Sequence, residues 1–123
     1  MIVAGLGFCT GVTAPDFLRL IRRAEVDSGL TVQALATPEF KSGSTALQET
    51  AALLGLPLLL IDRPALREAQ PRCRTMSKFA ASATGLSSIA EACALAAAGP
   101  SSVLLLPRIT AANATCALAG TLP

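Results

Sequence analysis

The chain has 123 residues, of which 52% are apolar, and a formal net charge of +2 from 10 basic and 8 acidic side chains. This length suits one domain with a sizeable core, and we expect a single domain over residues 1–123. Trp and Tyr are absent and Phe occurs only 4 times, which argues against base stacking and a nucleic-acid partner. No apolar run approaches the roughly 20 residues of a membrane helix, and the start lacks the basic region of a signal peptide. The sequence therefore predicts a cytoplasmic protein without a membrane segment.

Histidine is absent, which excludes Ser–His and Cys–His nucleophilic sites and removes the commonest metal ligand. The 4 cysteines are widely spaced and form no CxxC pair, so we predict no metal site. In the cytoplasm they should be reduced. Cys93 and Cys116 lie in apolar runs typical of the core, whereas Cys9 lies beside a glycine-rich turn.

The first elements are a strand at residues 2–7, a glycine turn over residues 5–11 and a helix from Thr13 to Ser28. Such a turn can present backbone N–H groups and the positive end of a helix to an anion. Alternatively, the glycines only permit a tight turn and close helix packing, and both interpretations remain open. Thr10 stands where a dinucleotide fingerprint needs its third glycine, so we predict no nucleotide or other cofactor.

The middle of the chain predicts a strand at residues 32–37, a helix from Ser44 or Thr45 to Gly55, and a strand at residues 58–61. A short helix follows at residues 66–69. Residues 71–84 show no clear period and predict a long loop, which is a reason to suspect function. Basic side chains cluster from position 63 to position 78, either as a solvated face or as a site for phosphates or carboxylates.

The last third predicts a helix that begins with a capping box formed by Ser88 and Glu91 and ends at Gly99. Strands at residues 103–106 and 115–119 follow, joined by a turn at residues 107–113. Strands that alternate with helices indicate a three-layer α/β/α fold around a mainly parallel, mixed five-stranded sheet. In such a sheet, loops after the strands meet at the carboxyl edge. We therefore expect the glycine turn, Thr37, Lys41 and the start of the helix after Gly85 to share one cleft.

Several short segments, in order along nearly the whole chain, resemble the CobE family of cobalamin-biosynthesis proteins, which is similar to the C-terminal domain of CbiG. They are GLGFCTG at residues 5–11, ALAT at 34–37 with Lys41 after it, LGLPL at 54–58, GLSSIAEA at 85–92 and TCALA at 115–119. The chain departs from the family pattern after Lys41, where Ser42, Gly43 and Ser44 replace an acidic residue and a glycine. It also has Arg108 where the family commonly has lysine.

The resemblance implies a role in building the corrin ring of vitamin B12. Corrin precursors are rimmed with carboxylates, so a site for them needs apolar area surrounded by cations and N–H donors. The candidate ligand-binding residues are Gly5, Gly7, Cys9, Gly11, Thr37, Lys41, Arg72, Arg74, Lys78, Ser87, Ser88 and Arg108. Each basic residue taken alone also fits an exposed solubilising charge. Replacing Arg72, Arg74 and Lys78 together should weaken binding, as should salt, without disturbing the fold.

Three functions remain open. The protein could bind or carry a precorrin intermediate, with or without cobalt. It could be a hydrolase similar to CbiG that opens the lactone of a cobalt-precorrin, with Glu91 or Glu39 activating water and Lys41 stabilising the oxyanion. Glu91 also fits a capping role without any catalytic duty. Finally, it could be a non-catalytic partner of another corrin-pathway enzyme, which an exposed apolar patch would favour.

Overall fold

The computed structural model describes residues 1–9, 11–74, 89–111 and 113–121. The strands are β1 Val3–Phe8, β2 Ala34–Pro38, β3 Leu58–Ile61, β4 Val103–Ala111 and β5 Ala114–Gly120. The helices are α1 Ala14–Ser28, α2 Thr45–Leu54, α3 Arg63–Ala69 and α4 Ile89–Ala98, with single 3-10 turns at Glu39–Lys41 and Gln70–Arg72.

The strands form one five-stranded sheet in the order β3-β2-β1-β5-β4. Pairing is parallel from β3 through β2 to β1, whereas β5 runs antiparallel to both of its neighbours, β1 and β4. The carboxyl ends of β1, β2, β3 and β4 therefore lie at one edge, which we call the carboxyl edge. The predicted mixed sheet is confirmed.

Helices cover both faces of the sheet because successive side chains of each strand point to opposite faces. On one face, Leu6 and Leu35 pack with Phe17 and Leu20 of α1 and Leu47 of α2. On the other face, alanines of the central strands pack with side chains of α3 and α4, including Leu66 and Leu95. In the absence of Trp and Tyr, the two cores, one on each side of the sheet, consist mainly of aliphatic side chains.

Gly5 explains how α4 lies so close to the sheet. A Cβ atom at this position would stand 2.0 Å from the carbonyl oxygen of Ala90 and 2.6 Å from the backbone nitrogen of Ala94. Both are backbone atoms of α4, so no side-chain movement could make room. The glycine is required by the approach of the helix, which is one of the two interpretations that the sequence left open for this segment.

The glycine turn is shorter than predicted, because β1 continues through Phe8. The prediction that Gly5 and Gly7 belong to the turn is wrong: both lie inside the strand and pair with Ala117 and Thr115 of β5. Gly11 does lie in the turn, with a φ of 94° that favours glycine. Thr10 lies outside the described residues.

The turn predicted at residues 107–113 is also wrong over most of its length. β4 continues to Ala111, and its register against β5 shifts between Leu106 and Ile109, where Pro107 and Arg108 lie. Proline is tolerated there because β4 is an edge strand and the register shift is a bulge. α3 likewise begins earlier than predicted, at Arg63, because the Asp62 side chain caps it and Pro64 fits its first turn.

Side-chain caps fix the beginnings of the helices that start near the carboxyl edge. Thr13 and Asp16 form a capping box at α1, and Asp16 also contacts Arg19 at 2.9 Å. Hydrogen bonds from the Thr13 backbone and hydroxyl, with the Arg19 guanidinium, lower the pKa of the Asp16 carboxyl. α2 is capped by Ser44, whose hydroxyl accepts the Leu47 N–H at 3.2 Å.

Candidate functional site

An open cleft of about 460 Å³ lies at the carboxyl edge, where the loops after β1 and β2 meet. The loop after β1 contributes Cys9, Gly11 and Val12, and the segment after β2 contributes Phe40 and Lys41. The Cys9 N–H donates to the Asn113 carbonyl at 2.8 Å, which ties the first loop to the β4–β5 connection. Cys9, Gly11 and Lys41 line this cleft together, whereas Thr37, which was expected in the same cleft, does not line it.

Lys41 supplies the positive charge of the cleft. Its ammonium donates to the carbonyl oxygen of Phe8, the last residue of β1, and lies 4.6 Å from the centroid of the Phe8 ring. The side chain is half-buried, so its charge is partly shielded from solvent. Lys41 therefore joins the ends of β1 and β2 and leaves a cation at the wall of the cleft.

The amino end of α2 forms another wall through Ser44, Thr45 and Ala46. The first N–H groups of a helix have no partner inside the helix, and the helix dipole adds positive potential at that end. The Ser44 hydroxyl already takes the Leu47 N–H. This wall therefore adds to the preference for an anion that Lys41 creates.

Aromatic and aliphatic side chains give the cleft its apolar area. Phe8 is held edge-on against the buried Phe17, with ring centroids 5.3 Å apart. Phe40 remains 40% exposed and carries the Arg63 guanidinium 4.5 Å from its ring centroid. The sequence did not single out Phe8, Val12 or Phe40 as site residues. The available sequence signal was the position of Phe40 shortly after a predicted strand and directly before Lys41.

Other predicted site residues lie away from this cleft. Thr37 is fully buried and its hydroxyl donates to the Leu6 carbonyl at 3.3 Å, so it stabilises the β1–β2 pairing. Gly5 and Gly7 are buried inside β1. Lys78, Ser87 and Ser88 lie outside the described residues, as do most of the predicted loop and the Ser88 half of the predicted capping box.

Arg72 lies at the opposite edge of the sheet, against the carboxyl end of α4. Its Nη1 atom donates to the carbonyl oxygens of Gly99 at 3.3 Å and Ser102 at 2.9 Å. A guanidinium at this end of a helix satisfies carbonyl groups and complements the helix dipole. The structure therefore separates Arg72 from Lys41 and gives it a role in holding α4.

Glu91 is fully buried in the first turn of α4, on the sheet face opposite α1 and α2. Its Oε1 accepts the backbone N–H of Arg74 at 2.8 Å, and its Oε2 accepts the backbone N–H of Arg108 at 2.9 Å. Arg74 and Arg108 are thus brought together at α4. Glu91 and Lys41 lie on different faces of the sheet, so the two candidate catalytic residues do not share one reaction centre.

The cysteines differ in accessibility. Burial raises the pKa of the Cys116 thiol to about 12 and also raises that of Cys93. Burial, followed by the nearby Glu91 carboxylate, raises the pKa of Cys73 to about 11. These side chains therefore remain thiols at neutral pH, and Cys9 is the exposed one, at the cleft.

Within the described ranges, no group of three or more His, Cys, Asp or Glu side chains is arranged to hold a metal ion. Over the same part of the chain, no helix has the length and apolar character needed to cross a bilayer.

Fold and cleft together define a mixed α/β protein with an open, partly apolar, cationic cleft at the carboxyl edge of its sheet. The family model described as "Cobalamin synthesis G C-terminus" matches residues 2–119. The chain belongs to this family, the CobE/CbiG C-terminal family of cobalamin-biosynthesis proteins, as its sequence motifs predict.

Individual relatives agree with this assignment. The chain is 30% identical to Protein CobE of Sinorhizobium sp. over 122 residues, which cover 97% of this chain and 79% of that protein. The crystal structure of CobE, a protein from the cobalamin (vitamin B12) biosynthetic pathway, superposes with a TM-score of 0.92 at 32% identity, covering 99% of this chain and 91% of the other. The cobalamin biosynthesis protein chiG from Agrobacterium tumefaciens gives a TM-score of 0.81 at 34% identity, with both chains fully covered.

Proposed function

We propose that this protein binds an anionic corrin intermediate in the cleft at the carboxyl edge and carries it between enzymes of cobalamin biosynthesis. The observation that carries the proposal is the pairing of the Lys41 ammonium with the apolar surfaces of Phe8 and Phe40 in one open cleft. A corrin precursor has the matching chemistry, because it is a large apolar macrocycle with carboxylates around its rim.

The geometry of Lys41 supports a role in binding. An ammonium group has three donors, and the Phe8 carbonyl takes one of them. The others are available to a carboxylate of the ligand, next to the first N–H groups of α2. The cleft is open to solvent, which suits a large ligand that enters and leaves by one side.

The hydrolase alternative receives less support from the arrangement of the same residues. Both oxygens of Glu91 accept backbone N–H groups, and Glu91 lies across the sheet from Lys41. Glu39 is exposed in the 3-10 turn before Lys41 and does not line the cleft. The geometry therefore favours binding over a water-activating pair built from these side chains.

Binding is tested with two corrins that differ mainly in charge. Dicyanocobyrinic acid carries carboxylates at its rim and dicyanocobinamide carries amides, while cyanide blocks the cobalt of both. We expect equilibrium dialysis read by corrin absorbance to show binding of the acid in preference to the amide. Lys41→Gln should weaken binding of the acid about tenfold, the usual effect of losing a charge-assisted hydrogen bond.

Arg67→Gln is the matched control, since Arg67 is an exposed cation on α3, away from the cleft. This variant should bind the acid as the wild type does. Equal affinity of the wild type for the acid and the amide, or equal affinity of the Lys41→Gln variant and the wild type for the acid, would contradict the proposal.

A further inference from the structure

The buried carboxylate of Glu91 joins two segments that are far apart in sequence. Glu91 is completely inaccessible to solvent, yet it is an acidic residue among alanines and Leu95 on α4. Burying a carboxylate is strongly unfavourable unless hydrogen bonds compensate for the lost hydration. Here its two oxygens accept the backbone N–H groups of Arg74 and Arg108, each 17 positions away.

The bulge in β4 makes this contact possible. The register of β4 against β5 shifts between Leu106 and Ile109, so Arg108 lies where the regular ladder is interrupted. Its N–H group donates to the carboxylate of α4, which packs on that face of the sheet. On the other side of the same carboxylate, the chain that follows the second 3-10 turn is held at Arg74.

The backbone nitrogens of Arg74 and Arg108 therefore lie close together, because each is hydrogen-bonded to one oxygen of the same carboxylate. The Arg74 side chain is exposed and the Arg108 side chain is half-buried. Arginine is suited to carboxylates because its planar guanidinium presents paired N–H donors in a fixed geometry. These two hydrogen bonds use the backbone N–H groups of Arg74 and Arg108 and not their guanidinium groups.

We propose that Glu91 is a positioning residue, which holds Arg74 and Arg108 side by side as a second carboxylate-binding site on the α4 side of the sheet. The inference rests on the proposed function, because the ligand class is the same polycarboxylate corrin. It adds a second point of attachment, so that the ligand is held by Lys41 on one side of the sheet and by the arginine pair on the other.

The test is a mutant cycle read by the affinity for dicyanocobyrinic acid. We expect the double variant Arg74→Gln/Arg108→Gln to bind this acid at least about tenfold more weakly than wild type. Glu91→Gln should weaken binding of the acid by a similar factor, because its amide cannot accept hydrogen bonds through both of its terminal atoms as the carboxylate does. Adding Glu91→Gln to the arginine variant should cause no further loss, since Glu91 acts through the arginines.

A merely structural role for Glu91 gives a different pattern. Glu91→Gln would then lower the thermal midpoint but leave the affinity of the folded protein unchanged, or its effect would multiply with that of the arginine variant. Either result overturns the inference. Arg67→Gln serves again as the charge control, and dicyanocobinamide should respond little to any of these variants.

If Glu91→Gln does not fold, salt dependence still tests the arginine pair through which Glu91 is proposed to act. From about 0.01 M to about 1 M salt, the affinity of the arginine variant should fall less steeply than that of the wild type, because fewer ion pairs are screened. An unchanged affinity and slope in that variant overturn the inference. If Lys41→Gln weakens binding and the Arg74→Gln/Arg108→Gln variant does not, the inference fails and the proposed function stands. If the wild type does not bind the acid, both fail.

Discussion

At Gly5, the addition of a single methyl group should strongly lower the stability of the fold. An added methyl group would collide with the backbone of α4 at Ala90 and Ala94, so the helix itself would have to move. We expect Gly5→Ala to lower the free energy of unfolding by about 1–3 kcal/mol or more, the range for overpacking a close contact. Thermal unfolding followed by circular dichroism measures this change.

Gly43→Ala is the matched control. A Cβ atom at Gly43 would meet nothing within 4 Å, and its backbone does not need a left-handed φ. The control should therefore unfold at or slightly above the wild-type temperature, because alanine restricts the unfolded chain more than glycine does. Equal stability of Gly5→Ala and Gly43→Ala would show that α4 adjusts to the added methyl group without cost.

Among the elements, α4 is held by side-chain contacts at both of its ends. Glu91 joins its first turn to Arg74 and to β4, whereas Arg72 joins its carboxyl end to Gly99 and Ser102. The segment from Arg72 to Arg74 thus runs alongside the helix and is tied to it at both ends. This arrangement holds α4 in register against Gly5 of β1.

Arg72→Gln should therefore destabilise the protein, contrary to the expectation that this position tolerates substitution as a surface charge. Losing the hydrogen bonds to the end of α4 should cost about 1–2 kcal/mol, measured by urea unfolding. Arg22→Gln is the control, because Arg22 is an exposed arginine within α1. If both variants unfold at the same urea concentration as wild type, the contacts of Arg72 contribute nothing to stability.

At the scale of the whole molecule, the buried thiols predict that the folded protein becomes less stable at alkaline pH. Burial raises the pKa of Cys73 to about 11 and that of Cys116 to about 12, above an ordinary value of 9.0. Above pH 9 the unfolded chain releases these protons while the folded protein keeps them, so ionisation favours unfolding. The stability that the buried neutral thiols contribute is fully present below the pKa of the unfolded chain. It is lost as pH rises towards the raised pKa values of the folded protein.

We expect the thermal midpoint to fall as pH rises above about 9, and to fall less steeply in a Cys73→Ala/Cys116→Ala variant. Cys9→Ala is the control, because Cys9 is exposed. The comparison is between slopes of midpoint against pH, so any constant loss from the cavities that alanine leaves does not affect it. Equal slopes in all three proteins would contradict this account.

The sequence by itself determined the sheet, the order of its helices and the family. Apolar runs, glycine stops and capping residues are local signals, and they placed the strands close to their observed ranges, except that β4 continues to Ala111, beyond its predicted end at residue 106. The same signals placed the loops after β1 and β2 at one edge of the sheet, where Cys9, Gly11 and Lys41 line the cleft.

Only the tertiary structure decided where each charged residue lies relative to the cleft. Arg72 and Arg74 are two positions apart, yet one holds the carboxyl end of α4 and the other contacts Glu91 in its first turn. The role of Gly5 likewise depends on α4, which follows it by more than 80 positions. Local sequence patterns report periodicity and caps, but a hydrogen bond or close approach between distant segments depends on how the helices pack on the sheet.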